Sequence, residues 1–163
     1  MPDAIPFAVA VLTVSDGVSV GARQDDSGEV VAGLLAAHGY DVVAREVVPD
    51  DQGRIEAALR GLCARARLVV STGGTGLGPR DVTPEATRRV LDREAPGLVA
   101  LMLIEGLKST PLAALSRAMA GARGSSLIVN LPGSPQGARE NLTALLPILG
   151  HALTVLGGDT EHR

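Results

Sequence analysis

Two acidic residues, Asp50 and Asp81, sit where carboxylates could do chemistry. Asp50 follows Val48-Pro49 at the end of an apolar run. Asp81 lies in the stretch Val69-Val70-Ser71-Thr72-Gly73-Gly74-Thr75-Gly76-Leu77-Gly78-Pro79-Arg80-Asp81-Val82-Thr83-Pro84-Glu85-Ala86. Glycine lacks a Cβ, so Gly73, Gly74, Gly76 and Gly78 can turn backbone N–H groups toward an anionic or strongly polar ligand in conformations closed to other residues. In that loop Asp81 is placed to hold a divalent metal, a hydroxyl or a ligand amine. Plainer roles stand beside these: a glycine-rich turn after a strand also serves as a tight connection to a helix, and an aspartate just before a helix, like Asp50, also serves as its N-cap. Two carboxylates converging on one crevice with backbone donors nearby are instead the equipment for phosphoryl-type chemistry with a magnesium ion. The spacing excludes two phosphate motifs. Pro79 occupies the third glycine position of G-x-G-x-x-G counted from Gly74, and no lysine follows as a Walker A loop requires.

Other reactive side chains offer less. Gly17-Val18-Ser19-Val20-Gly21 matches the hydrolase pattern G-x-S-x-G, but that elbow needs strand, turn and helix in immediate succession, and here polar and charged residues continue to Ser27. Ser19 is therefore not expected to be a nucleophile. His38 falls at a helix end, His151 opposite the leucine stripe of its helix and His162 in the tail, so all three are expected in solvent. Cys63 flanks an apolar helix face and reads as a small core residue. As the single cysteine it rules out an internal disulfide and, with so few histidines, the usual Cys/His zinc site.

The elements that must position these groups alternate. Phe7 to Leu12 is apolar on both faces, as suits a strand covered above and below in a parallel sheet between helix layers, and Thr13-Val14-Ser15-Asp16 ends it. A long loop from Gly17 to Ser27 leads to a helix over Gly28 to His38, closed by Gly39. A strand over Asp41 to Val48 precedes a helix whose face is marked by Ile55, Leu59 and Leu62. Leu68 to Ser71 delivers the glycine loop, and Thr83 as N-cap with Pro84 at the first helical position announces the next helix. Gly97 to Leu107 is apolar around much of its circumference, which predicts a subunit interface. The polar pair Ser116-Arg117 follows within Leu112 to Ala120. Leu127 to Leu131 is a fourth apolar strand, ending in the rigid loop Asn130-Leu131-Pro132-Gly133-Ser134-Pro135. The last helix carries Leu142, Leu145, Leu146, Leu149, Leu153 and Leu156 on one stripe, with a kink expected at Pro147.

This alternation predicts an α/β fold: a three-layer α/β/α domain with a mostly parallel, doubly wound sheet, whose ligands sit beyond the carboxyl ends of the strands where the order reverses. The 163 residues are expected to form one domain, 1–163, with 45% hydrophobic residues and a formal net charge of -3. No basic run suggests a nucleic-acid surface, no apolar stretch approaches a membrane span, and no secretory signal opens the chain, so it is expected in the cytoplasm. With Phe7 and Tyr40 its only aromatic residues, a ligand ring must be gripped by aliphatic walls and hydrogen bonds.

Taken together, Thr13-Val14-Ser15-Asp16, Asp26-Ser27-Gly28, Val48-Pro49-Asp50, the glycine run through Arg80-Asp81-Val82-Thr83-Pro84-Glu85-Ala86, Leu115-Ser116-Arg117 and Asn130 to Pro135 closely resemble the MogA/MoaB family of molybdenum cofactor biosynthesis. The likeness extends, in order, from about residue 5 to residue 157. It implies a trimer that transfers AMP from ATP to the terminal phosphate of molybdopterin, releasing pyrophosphate, with a separate protein inserting molybdate. Asp50 and Asp81 match the family's catalytic aspartates and would hold Mg²⁺. Ser15, Asp16, Gly73, Gly74 and Gly76 would line the nucleotide side, with Thr75 in the same loop. Ser116, Arg117, Asn130, Pro132, Gly133 and Ser134 would receive the pterin and its phosphate, with Arg117 as a phosphate clamp. The alternatives are a catalytically silent molybdopterin-binding protein or scaffold of the MoaB type and, more distantly, a nucleotide hydrolase.

Overall fold

The computed structural model describes residues 7–158; His162 and the first residues of the resemblance lie outside them. Among the described residues one sheet runs in the order β2 (Asp41–Val48), β1 (Ala8–Val14), β3 (Leu68–Thr72), β6 (Ser126–Leu131), β5 (Ala120–Arg123), β4 (Arg93–Glu94). Its parallel part consists of β1, β2, β3 and β6. Between β1 and β3 the order of connection reverses, which makes their carboxyl ends the place where a doubly wound sheet leaves a crevice.

Alternation along each strand explains why helices lie on both faces. Val9, Val11, Leu68, Val70, Leu127, Val129 and Leu131 point to one side. There they meet α2 (Asp26–Ala37), α5 (Pro96–Ser109) and α6 (Pro135–Leu156). Ala10, Leu12, Val14, Val69 and Ile128 point to the other, against α3 (Gln52–Cys63) and α4 (Thr83–Val90). Leu142, Leu145, Leu149 and Leu153 of the α6 stripe are fully buried, each contributing about 1.5–3 kcal/mol of transfer free energy. The α6 helix runs through Pro147 without interruption. No helix among the described residues is long and apolar enough to cross a membrane.

Three local features depart from expectation. The loop after β1 contains a short helix, α1 (Asp16–Ser19), capped by the Ser15 hydroxyl. Thr83 begins α4 rather than capping it: Val82 is the cap and offers no side-chain bond. The Thr83 hydroxyl instead donates to the Gly73 carbonyl at 2.9 Å, joining helix to glycine loop. Finally, β4 (Arg93–Glu94) and β5 (Ala120–Arg123) add an antiparallel edge, β5 pairing with β6 and β4 with β5. Gly121 is what allows the last pairing, because a Cβ there would run into the Arg93 carbonyl.

Candidate active site

The register levels the strand ends. Val14 is opposite Val48, Thr13 opposite Thr72, and Thr72 opposite Leu131. The polar segments that follow, Ser15-Asp16, Pro49-Asp50, Gly73-Gly74 and Pro132-Gly133, therefore emerge side by side along one edge. Two of them are locked together by exchange. The Asp16 amide donates to Asp50 Oδ2 at 3.0 Å, and the Asp50 amide donates to Asp16 Oδ1 at 3.0 Å. Asp51, not Asp50, caps α3 by accepting from the Arg54 amide, so the Asp50 carboxylate is left for the crevice.

Burial pushes the Asp50 carboxyl above the ordinary aspartate range. The Asp16 amide works against that shift, while the negative charges of Asp16 and Asp81 add to it. Asp16 is held below its usual range, chiefly by the Arg80 fork, which donates from Nε and Nη2 at 2.9 Å each. Asp16 is thus a brace for the Asp50 turn.

The glycine loop is shaped by close approach. Gly73 and Gly74 have φ of 95° and 69°. A Cβ on Gly73 would strike the Val14 carbonyl, and one on Gly74 the Thr83 hydroxyl. Asp81 Oδ2 accepts from the Gly78 amide at 2.8 Å, folding the loop back so that its carboxylate joins Asp50. Both aspartates line one cavity of about 500 Å³, together with Ser15, Gly73, Gly74 and Gly133. Oxygen donors from two carboxylates in a roomy cleft suit Mg²⁺, which binds through one or two carboxylates and completes its shell with water and substrate phosphates. No larger cluster of metal-ligating side chains forms among the described residues.

A second cavity of about 390 Å³ adjoins the first and holds Thr75, Gly76, Ser116 and Pro132 against apolar residues of α5 and the 3-10 turn Pro111–Leu115, among them Met102, Leu103 and Leu115. Ser134 borders both cavities, and its hydroxyl caps α6 by accepting from the Gly137 amide.

Three residues expected at the ligand are held by protein partners. Asn130 is fully buried: its Nδ2 donates to Ser71 Oγ and Thr87 Oγ1 at 2.9 and 3.0 Å, and its Oδ1 accepts from the Met119 amide at 3.0 Å. It staples β6, β3 and α4 together under the site. Arg117 lines neither cavity. Its Nε donates to the Gly76 carbonyl at 2.7 Å, its Nη2 to the Asp81 carbonyl at 2.8 Å, and its Nη1 to both oxygens of Glu85. The fork expected to clamp a phosphate clamps the glycine loop. The Asp16 carboxylate is likewise taken, by the Asp50 amide and the Arg80 guanidinium.

Conversely, Thr13, Arg23, Gln24, Asp26, Ser27 and Thr72 line the first cavity beyond the residues expected there. Asp26 and Ser27 carried a signal, within the Asp26-Ser27-Gly28 segment. Arg23 and Gln24 lie in an irregular loop without periodicity and carried none. Among the described residues no histidine lines either cavity. Ser19 donates its hydroxyl to the Asp16 carbonyl, and Cys63 sits near Arg60 and Arg123 at the amino ends of β3 and β6.

Residues 10–151 match the family model described as a probable molybdopterin binding domain. The chain is 39% identical over 155 residues to a molybdopterin adenylyltransferase of Helicobacter pylori, covering 93% of this chain and 88% of that protein. It is 40% identical to the molybdenum cofactor synthesis protein cinnamon of Drosophila melanogaster, again over 93% of this chain but spanning only 26% of that longer protein. Among solved structures, the molybdopterin biosynthesis enzyme MoaB of Thermus thermophilus superposes with a TM-score of 0.88 at 52% identity, covering 94% of this chain and 98% of that one.

Proposed function

The chain belongs to the MogA/MoaB family of molybdenum cofactor biosynthesis, and on that premise we propose that it is an adenylyltransferase moving AMP from ATP to molybdopterin. An oxygen of the molybdopterin terminal phosphate attacks the α-phosphorus of ATP. The bond from that phosphorus to the bridging oxygen of the β-phosphate breaks, and pyrophosphate leaves with the electron pair. Because both partners are anions, the site must gather positive charge and hold them in line rather than supply a covalent nucleophile. The observation carrying this reading is that Asp50 and Asp81, distant in sequence, share one cleft with the Gly73-Gly74 turn. Mg²⁺ held by those two carboxylates would neutralise charge on the phosphates. The chain's own part is orientation. The Asp16–Asp50 exchange fixes one carboxylate, and the Arg117 clamp with the Gly78 amide fixes the other. The second, mainly apolar cavity would seat the pterin ring, with Ser116, Pro132 and Ser134 at its polar edge.

The test is release of pyrophosphate by the purified chain given molybdopterin, ATP and Mg²⁺, with adenylylated molybdopterin as co-product. Tight molybdopterin binding without release would instead support a silent binding or scaffold role. Phosphate or AMP appearing without adenylylated product would support a hydrolase.

The same reading makes the chain a single molybdopterin-binding domain working in the cytoplasm as a homotrimer, with molybdate inserted by a separate protein. Support for self-assembly comes from α5 and the turn after it, which leave Leu103, Ile104, Leu107, Leu112 and Leu115 between 38% and 69% exposed, a band that water solvates poorly. Light scattering is expected to give three chain masses for the natural sequence and one for Ile104→Glu, because a carboxylate in an apolar contact goes unpaired. An unchanged mass for the variant would place the interface elsewhere.

A further inference from the structure

We propose that Arg23 is the cation that grips the polyphosphate in the first cavity, and that Gly17 is the seat that lays it there. The inference rests on the nucleotidyl-transfer reading for the identity of the ligand, but its geometry is independent of that reading.

The charge balance of the cleft is the starting point. Asp26, Asp50 and Asp81 line it, and against these three carboxylates Arg23 is the one basic side chain among the described lining residues. Neighbouring arginines are committed elsewhere: Arg80 to Asp16, Arg45 to Asp25 and Glu29, Arg117 to Glu85. The Arg23 guanidinium has no hydrogen bond or ion pair among the described residues, so its fork is open. A polyanion entering a cleft rimmed by aspartates needs compensating charge beyond a single divalent ion, and a guanidinium meets phosphate oxygens two at a time in a plane, which an ammonium cannot.

The loop is built to aim this side chain. The Gly17 carbonyl accepts from the amides of both Ala22 and Arg23, at 2.9 and 3.3 Å, so the chain doubles back over α1. The Arg23 stem then lies in the space that a side chain at position 17 would fill: its Cδ and Cγ are 2.7 and 3.1 Å from where a Cβ would stand. Gly17 has an ordinary negative φ, so what it supplies is room. Any larger residue there must displace the Arg23 stem from its present path.

Two variants of the full chain test this from different directions. Arg23→Ala removes the charge; Gly17→Ala keeps the charge and displaces it. Isothermal titration with inorganic tripolyphosphate and Mg²⁺ is expected to show about tenfold weaker binding for each, the size of one lost charge-assisted contact, and little further loss when both are combined. Arg23→Lys should recover only part. In the pyrophosphate-release assay the KM for ATP should rise by a similar factor with kcat little changed, since the contact is made before and during transfer alike. Unfolding midpoints should match the natural chain, excluding a merely structural effect. If both variants bind tripolyphosphate like the natural chain, or the natural chain fails to bind it, the inference is overturned. If the natural chain binds tripolyphosphate in an Arg23-dependent way yet releases no pyrophosphate, the transferase reading falls and the anion site stands.

Discussion

Asp81→Asn is expected to lower kcat by about 10²–10³ while leaving the affinity for molybdopterin nearly unchanged. The substitution is nearly isosteric, and the asparagine oxygen can still accept from the Gly78 amide, as Asp81 Oδ2 does at 2.8 Å, so the loop keeps its shape and only the charge goes. Asp50→Asn should act the same way, since an amide oxygen can replace Oδ2 as acceptor for Asp16 N–H. Without Mg²⁺ the Asp50 carboxyl should titrate above the ordinary aspartate range, because burial holds its proton more tightly. Asp50→Asn removes that titration.

The stability effect runs the other way. A carboxyl whose pKa is raised on folding binds more protons in the native than in the unfolded state, so its ionisation subtracts stability as pH climbs from the ordinary aspartate value through the raised one. At neutral pH, Asp50→Asn should therefore be at least as stable as the natural chain in urea titrations. Equal loss of turnover and molybdopterin affinity on Asp81→Asn would make Asp81 a binding residue and remove the catalytic assignment.

Arg117→Ala carries the second large effect. It deletes the donors to the Gly76 and Asp81 carbonyls and leaves Glu85 without its partner. Hydrogen bonds involving a charged group contribute about 1.5–3 kcal/mol each at best, and Arg117 is only partly shielded, so a net loss of about 1–3 kcal/mol is expected. Activity should fall further, by about 10² in kcat, because the segment carrying the Asp81 carboxylate is freed and misplacement by about 1 Å has that consequence. Arg117→Lys should not rescue it, since one ammonium cannot span acceptors at three positions. Faster hydrogen exchange at the Gly76 and Gly78 amides would locate the damage in the loop. A variant with kcat intact and only the KM for molybdopterin raised would return Arg117 to the phosphate-clamp role.

How much of this was legible in the chain depended on whether a residue's neighbours in sequence or in space decide its role. The Ile55, Leu59 and Leu62 face was readable because periodic burial is written locally. So was the two-faced character of β1, which requires helices on both sides. The antiparallel edge was not readable: Arg93–Glu94 has two residues, and Ala120–Arg123 has no β-branched or aromatic side chain to mark it. Its existence depends on Gly121 admitting a strand from elsewhere. Asp50 and Asp81 could be picked out by type and position. Asn130 and Arg117 could be picked out too, but whether they face a ligand or the protein depends on β3, α4 and the glycine loop, which arrive from other parts of the chain. Thr83 illustrates the same limit, its hydroxyl being drawn from a helix end to the Gly73 carbonyl.

The position of Ser134 on the border of both cavities has an electrical meaning. α6 is 22 residues long, the longest rod in the described fold, and its positive pole opens at the partition between the two hollows. Molecules occupying them would meet with their phosphates over that pole, so the mutual repulsion of the reactants would be softened where it is greatest, by a field present before either arrives.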